Sequence, residues 1–167
     1  MREGSREDVQ SYFAGICPRA RQLIDLPRSW KRWATADRDP IAQWTHGRTT
    51  LLGDAAHPTL QYLAQGACMA LEDAVTLGEA LRVTDHRLDK AFDLYQRSRI
   101  ARTARIVLSA RRMGRIFHAM GVERLVRNTL WKGRTPERFY DATEWLYGWR
   151  VDNCLSTCTG DAHHEPR

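Results

Sequence analysis

The run Arg48-Thr49-Thr50-Leu51-Leu52 is the best-defined strand signal in the chain, and it stops at Gly53-Asp54, ahead of helical patterns that dominate everything after residue 64. A lone strand cannot pair its own backbone or bury both faces. Part of the sheet that this strand belongs to is therefore expected to lie outside the sequence.

Helical signals surround it. Val9, Tyr12, Phe13 and Ile16 fall at i, i+3, i+4 and i+7, and Pro18 and Pro27 bound the next stretch. Trp30, Trp33 and Trp44 flank Asp37-Arg38-Asp39-Pro40, which reads as an edge strand, a turn and an approach segment. Ala67, Ala70, Leu71, Ala74, Gly78 and Leu81 predict a buried helix from about Gln65 to Arg82, and Leu88, Ala91, Phe92 and Tyr95 a second one. Ile100, Ala104, Val107 and Leu108 form one apolar face and Met113, Ile116, Phe117 and Met120 another, as in a long helix that changes its buried side near Gly114. Thr135-Pro136-Glu137 reads as a cap, a first-turn proline and an early acid, with Gly148 as the stop.

With 167 residues, 43% hydrophobic and 28% charged, the chain has the make-up of one soluble globular domain. No apolar run approaches the roughly 20 residues of a membrane span, and the charged start does not suit a signal peptide, so a cytoplasmic protein with reduced thiols is expected. The net charge of +6 is concentrated. Between Arg97 and Arg138 stand twelve basic residues and only two acidic ones, Glu123 and Glu137. Such a stretch suits an anionic partner: nucleic acid, a lipid surface, or an acidic substrate or cofactor.

The informative stretch is Leu51-Leu52-Gly53-Asp54-Ala55-Ala56-His57-Pro58, followed by Gln65-Gly66-Ala67 opening a helix and Leu71-Glu72-Asp73-Ala74 in its second turn. A glycine permits close backbone approach, and a carboxylate sits where a strand ends, the place at which open α/β sheets bind ligands. The free N–H groups and positive end of the following helix point back to the same place. A carboxylate that accepts from hydroxyls, beside a helix start that favours negative charge, suits a polyol chain on an electron-accepting ring.

On these residues the chain resembles the single-component flavoprotein aromatic hydroxylases, the salicylate and para-hydroxybenzoate hydroxylase family, whose second FAD-binding motif reads like residues 53–58 with 65–67. The similarity runs from about Val9 to Leu155. It implies FAD as cofactor, NADH as co-substrate, O2, and a small aromatic acid as substrate. The implied reaction hydroxylates a phenolic acid, 3-hydroxybenzoate to gentisate first and salicylate second. By the same resemblance Gly53 and Asp54 would hold the ribityl chain, and Pro58, Gln65, Gly66 and Ala67 would meet the flavin. Gln61 and Tyr62 would meet the substrate, Gln61 assisting phenol deprotonation.

The family's opening Gly-x-Gly-x-x-Gly turn is not in this sequence, nor is its middle Asp-Gly motif. The expected fold is thus an α/β fragment: the last strand and helix of a Rossmann-like FAD-binding domain, then a mostly α-helical C-terminal region. Residues 1–44 would end the substrate-binding domain, 45–83 carry the FAD motif, 84–150 form C-terminal helices, and 151–167 a disordered tail. The full-length enzyme is expected to be a homo-oligomer without a membrane span or nucleic-acid role, and this chain alone to be inactive.

Simpler roles stand beside these. His57 suits a structural hydrogen bond more than catalysis, and Glu72 and Asp73, about 100° apart on a helix, suit packing or capping. Cys154, Cys158, His163 and His164 have zinc-ligand chemistry but not zinc-site spacing, so no metal is expected. The arginines from 99 to 115 wrap around their helix and are expected to be solvated or to pair with acids outside the sequence. A different class of function, a non-catalytic basic helical module for an anionic partner, would use that same stretch.

Overall fold

The computed structural model describes residues 2–155, and the chain divides into two units, Met1–Thr35 and Ala36–Arg167. In the first, β1 (Arg2–Gly4) pairs antiparallel with β2 (Trp30–Arg32), Gly4 opposite Trp30. Between them lie α1 (Arg6–Tyr12) and α2 (Pro18–Asp25). Ser5 accepts the Asp8 N–H at 3.0 Å, Pro18 opens α2, and Gln10 donates to Asp25 at 2.8 Å to tie the two helices. The predicted edge strand near Trp30 is thus the partner of the chain's own start.

The second unit begins with a hairpin. β3 (Thr45–His46) and β4 (Thr49–Thr50) pair around Gly47, whose φ of +55° lies in the left-handed region that a tight turn requires. The strand read at Arg48–Leu52 is therefore narrower than predicted. Leu51 continues the ladder by one bond, its N–H donating to Trp44 O at 3.0 Å, before the backbone turns away at Gly53. Both sheets among the described residues are two-stranded and antiparallel, and helix predominates.

Two long helices form the core, α3 (Gly66–Val83) and α4 (Leu88–Phe117). They lie against each other through small and medium side chains. Ala80, Ala91 and Tyr95 join Trp44 and Ala56 at one end, while Met69 and Ile106 join Leu146 at the other. Burial of Met69, Ile106 or Leu146 contributes about 1.5–3 kcal/mol each. The helix predicted over residues 65–82 matches α3 within one residue at each end.

The rotated face predicted beyond Gly114 does not form. α4 ends at Phe117, and Phe117 and Met120 are exposed. A further helix that the sequence reading missed, α5 (Gly121–Lys132), opens at a left-handed Gly121 and buries none of its residues. α6 (Pro136–Tyr147) starts at the predicted cap, Thr135 accepting the Arg138 N–H at 3.4 Å, and stops at Gly148. No helix among the described residues is long and apolar enough to cross a membrane.

Candidate functional site

The strand-to-helix crossing between β4 and α3 builds the site. Gly53 has φ +59°, and a Cβ there would come within 3.4 Å of the Ala70 Cβ, so both its conformation and its closeness to α3 suit glycine. Its carbonyl accepts the Ala56 and His57 N–H groups, both at 2.9 Å, curling Gly53–Ala55 into a short 3-10 turn. Arg38 secures the far side by donating to the carbonyls of Ala55 (2.8 Å) and Ala56 (2.9 Å). Arg38 is itself flanked by Asp37 and Asp39, which both bind Arg111 of α4, at 2.5 and 2.6 Å.

Beneath the turn lies a buried charge network. Asp73, fully buried on α3, accepts the Gly53 N–H at 3.0 Å, sits 2.6 Å from His57 Nε2, and receives Arg99 Nε of α4 at 2.7 Å. Burial pushes the Asp73 carboxyl up. The His57 hydrogen bond, the Arg99 charge and the Gly53 N–H together outweigh burial and hold it below the usual aspartate range. Since Asp73 is then a carboxylate, the network assigns the His57 proton to Nε2, while Nδ1 is buried with no partner among the described residues.

Arg99 Nη1 also lies 2.8 Å from Glu72, whose carboxylate takes a two-pronged pair of bonds from Arg102, 2.7 Å each. Arg102 reaches on to the carbonyls of Trp145 and Leu146 at the end of α6. Burial and the Asp73 charge push the nearby Tyr95 phenol up, and its hydroxyl donates to Leu51 O at 3.1 Å. His57 makes the structural hydrogen bond expected of it, whereas Glu72 and Asp73, expected to pack or cap, form buried ion pairs with the arginines of α4. The expectation for the arginines needs correcting: Arg99, Arg102 and Arg111 pair with acids of this same chain, because α3 and the 37–39 segment bring those acids against α4.

Above the turn opens a cleft of about 680 Å³, lined by Leu52, Gly53, Asp54, Thr59, Gln61, Ala64, Gly66, Ala67 and Ala70. It collects five of the predicted residues, Gly53, Asp54, Gln61, Gly66 and Ala67. Asp54 and Gln61 are exposed there, and the free N–H groups of the first turn of α3 begin at the same wall. Most other lining positions are glycine or alanine, so a flat molecule can approach the backbone closely. Gln65 is buried and its carbonyl accepts the Met69 N–H at 2.8 Å, and Pro58 is half-buried; neither lines the cleft. Tyr62 sits on the other side of its turn, in a separate groove with Leu60, Leu108 and Gly114. The paired cysteines and histidines of the C-terminus lie outside the described residues, apart from Cys154, which is buried.

Comparison with known proteins follows the same motif. A family model described as "FAD binding domain" matches residues 17–110. The chain is 79% identical over 154 residues to a 3-hydroxybenzoate 6-hydroxylase of Polaromonas naphthalenivorans, covering 92% of this chain and 38% of that protein. Among solved structures it resembles a salicylate hydroxylase substrate complex (TM-score 0.77, 26% identity, 97% of this chain and 39% of the other). It also resembles Klebsiella pneumoniae HpxO complexed with FAD and uric acid (TM-score 0.72, 31% identity, 92% and 38%). The chain spans between 38% and 48% of the length of the 3-hydroxybenzoate 6-hydroxylases it matches at highest identity.

Proposed function

Because the chain belongs to the FAD-binding domain family, we propose that it forms part of an FAD-dependent monooxygenase that hydroxylates a small phenolic acid, 3-hydroxybenzoate to gentisate, using NADH and O2. The observation that carries this reading is the single cleft on which Asp54, Gln61, Gly66 and Ala67 open. The residues present fit a flavin. Asp54 offers an exposed carboxylate to hydroxyls, the glycine and alanine walls admit a flat ring, and the start of α3 favours negative charge beside that ring. We read residues 45–83 as the last strand and helix of a Rossmann-like FAD-binding domain, residues 1–44 as the end of the substrate domain, and 84–150 as C-terminal helices.

In this reading Asp54 accepts hydrogen bonds from the ribityl hydroxyls and Gly53 lets the backbone come close to them. Pro58, Gln65, Gly66 and Ala67 shape the wall against the ring. Bound there, FAD would supply redox chemistry, taking a hydride equivalent from NADH and passing one oxygen atom of O2 to the substrate, the other leaving as water. The Gln61 side-chain amide donates to the phenolic oxygen and so favours the more nucleophilic phenolate. Tyr62, also expected to meet the substrate, stands in the separate groove on the far side of the same turn and is left out of the substrate site. The high identity to 3-hydroxybenzoate 6-hydroxylase supports this substrate over salicylate.

The test is made on a family-length enzyme that carries this sequence. Incubation with 3-hydroxybenzoate, NADH and air should give gentisate, followed by chromatography, with salicylate a poor alternative. Conversion of salicylate in preference, or NADH oxidation with no hydroxylated product from either acid, would overturn the assignment.

A further inference from the structure

Gly114 of α4 lies directly under the Tyr62 ring. A Cβ built at position 114 would stand 2.5 Å from Tyr62 Cε2, 2.8 Å from Cδ2 and 3.1 Å from Cζ, closer than real side chains approach. Two edge contacts flank the half-buried Tyr62 ring, with centroids 6.1 Å from Phe117 and 5.7 Å from His118. His118 is fixed in turn by a 2.7 Å bond between its Nδ1 and the Gly114 carbonyl. Gly114 itself is buried and helical, a position where alanine would ordinarily improve the helix. A glycine retained there has a packing reason, and the ring supplies it.

The turn that carries Tyr62 is the 3-10 turn Gln61–Leu63. Leu63 packs on the Met69, Ile106 and Leu146 cluster, and the Ala64 N–H closes the turn on Gln61 O at 2.9 Å with Ala64 in the left-handed region. Three consecutive side chains therefore point to three places: Gln61 to the cleft, Tyr62 to α4, and Leu63 to the core. A ring displaced by backbone movement of this short turn carries Gln61 with it, since the two are adjacent in the turn.

We propose that Gly114 is a positioning residue: it forms the seat for Tyr62 and thereby sets where Gln61 stands in the cleft. Its link to substrate affinity rests on the reading of Gln61 given above, whereas the seat itself does not. The position is 53 residues away from Gln61 in sequence.

Hydrogen exchange on the 167-residue chain tests the seat. Gly114→Ala should speed exchange of the amides at 61–64 at least tenfold and leave those in the middle of α3 unchanged. Gly78→Ala, at a helical glycine with open space around its Cβ, should leave the turn as it was. Tyr62→Leu supplies the second arm: with the ring gone, Gly114→Ala added to it should cause no further increase. The proposal is overturned if Gly114→Ala leaves the turn as protected as Gly78→Ala does, or if the two changes at 62 and 114 act independently. In a family-length enzyme Gly114→Ala should raise KM for the phenolic acid about fivefold or more while flavin content is kept. A loosened turn with an unchanged KM would uphold the seat and overturn the role given to Gln61.

Discussion

Asp73 accepts the Gly53 backbone N–H at 3.0 Å across twenty residues of chain, so the glycine that opens the cleft is held by a carboxylate that is itself held by Arg99. The geometry of the FAD motif thus depends on a charge pair between two helices. Asp73→Asn would keep the shape but leave Arg99 with a diminished partner, and Arg99→Ala would leave the buried Asp73 carboxylate without its arginine, while Glu72 keeps Arg102. Breaking a buried pair of this kind costs about 3–5 kcal/mol. Urea unfolding followed by circular dichroism should show a loss of that size for Arg99→Ala and a smaller one for Asp73→Asn.

The same network gives an acid limb to stability. Asp73 is held below the ordinary aspartate value of about 3.9, so its contribution is fully present above that pH and is lost as the pH falls through its lower folded-state value. Thermal midpoints measured from pH 5 down to pH 2 should fall more steeply for the parent chain than for Asp73→Asn. Parallel curves would show that folding does not lower the Asp73 carboxyl.

Gly53→Ala places a side chain at φ +59°, a conformation that costs roughly 1–2 kcal/mol for an L-residue. The added methyl also touches Ala70 on α3. The expected result is a lower denaturation midpoint together with weaker flavin binding in a family-length enzyme, since strain here is relieved by moving the turn that carries Asp54. A variant as stable as its parent would mean that the turn has another route.

Gln61→Ala is expected to separate chemistry from cofactor binding. Flavin content should be unchanged, whereas product formed per NADH consumed should fall and hydrogen peroxide should rise, because a poorly activated ring intercepts less of the oxygen chemistry. Full coupling in Gln61→Ala would remove Gln61 from the mechanism.

What the sequence disclosed and what it hid follow one physical division. α3 and α6 were legible because their signals are local: alanine and leucine at helical spacing, Thr135 and Pro136 at a start, Gly148 at an end. Gly53, Asp54, Gly66 and Ala67 were legible as neighbours because they belong to one short motif, whereas Gln65 of the same motif turned out to be buried away from the cleft. α5 was missed although Val122, Leu125 and Val126 stand at i, i+3 and i+4, the spacing of the other helices; the structure leaves that apolar face exposed. The pairings of Arg99 and Arg102 with Asp73 and Glu72 join positions 26 and 30 residues apart, which no local pattern reports. Two adjacent acids on one helix and two arginines three apart on the next were the available signal. The Gly114 notch was read as a change of helix face for the same reason: its partner, Tyr62, is distant in sequence.

The measurement that tests the central claim most directly is FAD affinity of Asp54→Ala in a family-length enzyme, by titrating the flavin-free protein and following fluorescence quenching. Charge-assisted hydrogen bonds to ribityl hydroxyls are worth about 1.5–3 kcal/mol each, so the dissociation constant should rise tenfold or more, and Asp54→Asn, which keeps an acceptor, should lose less. An Asp54→Ala protein that holds FAD as tightly as its parent and keeps it through gel filtration would contradict the placement of the flavin at this cleft.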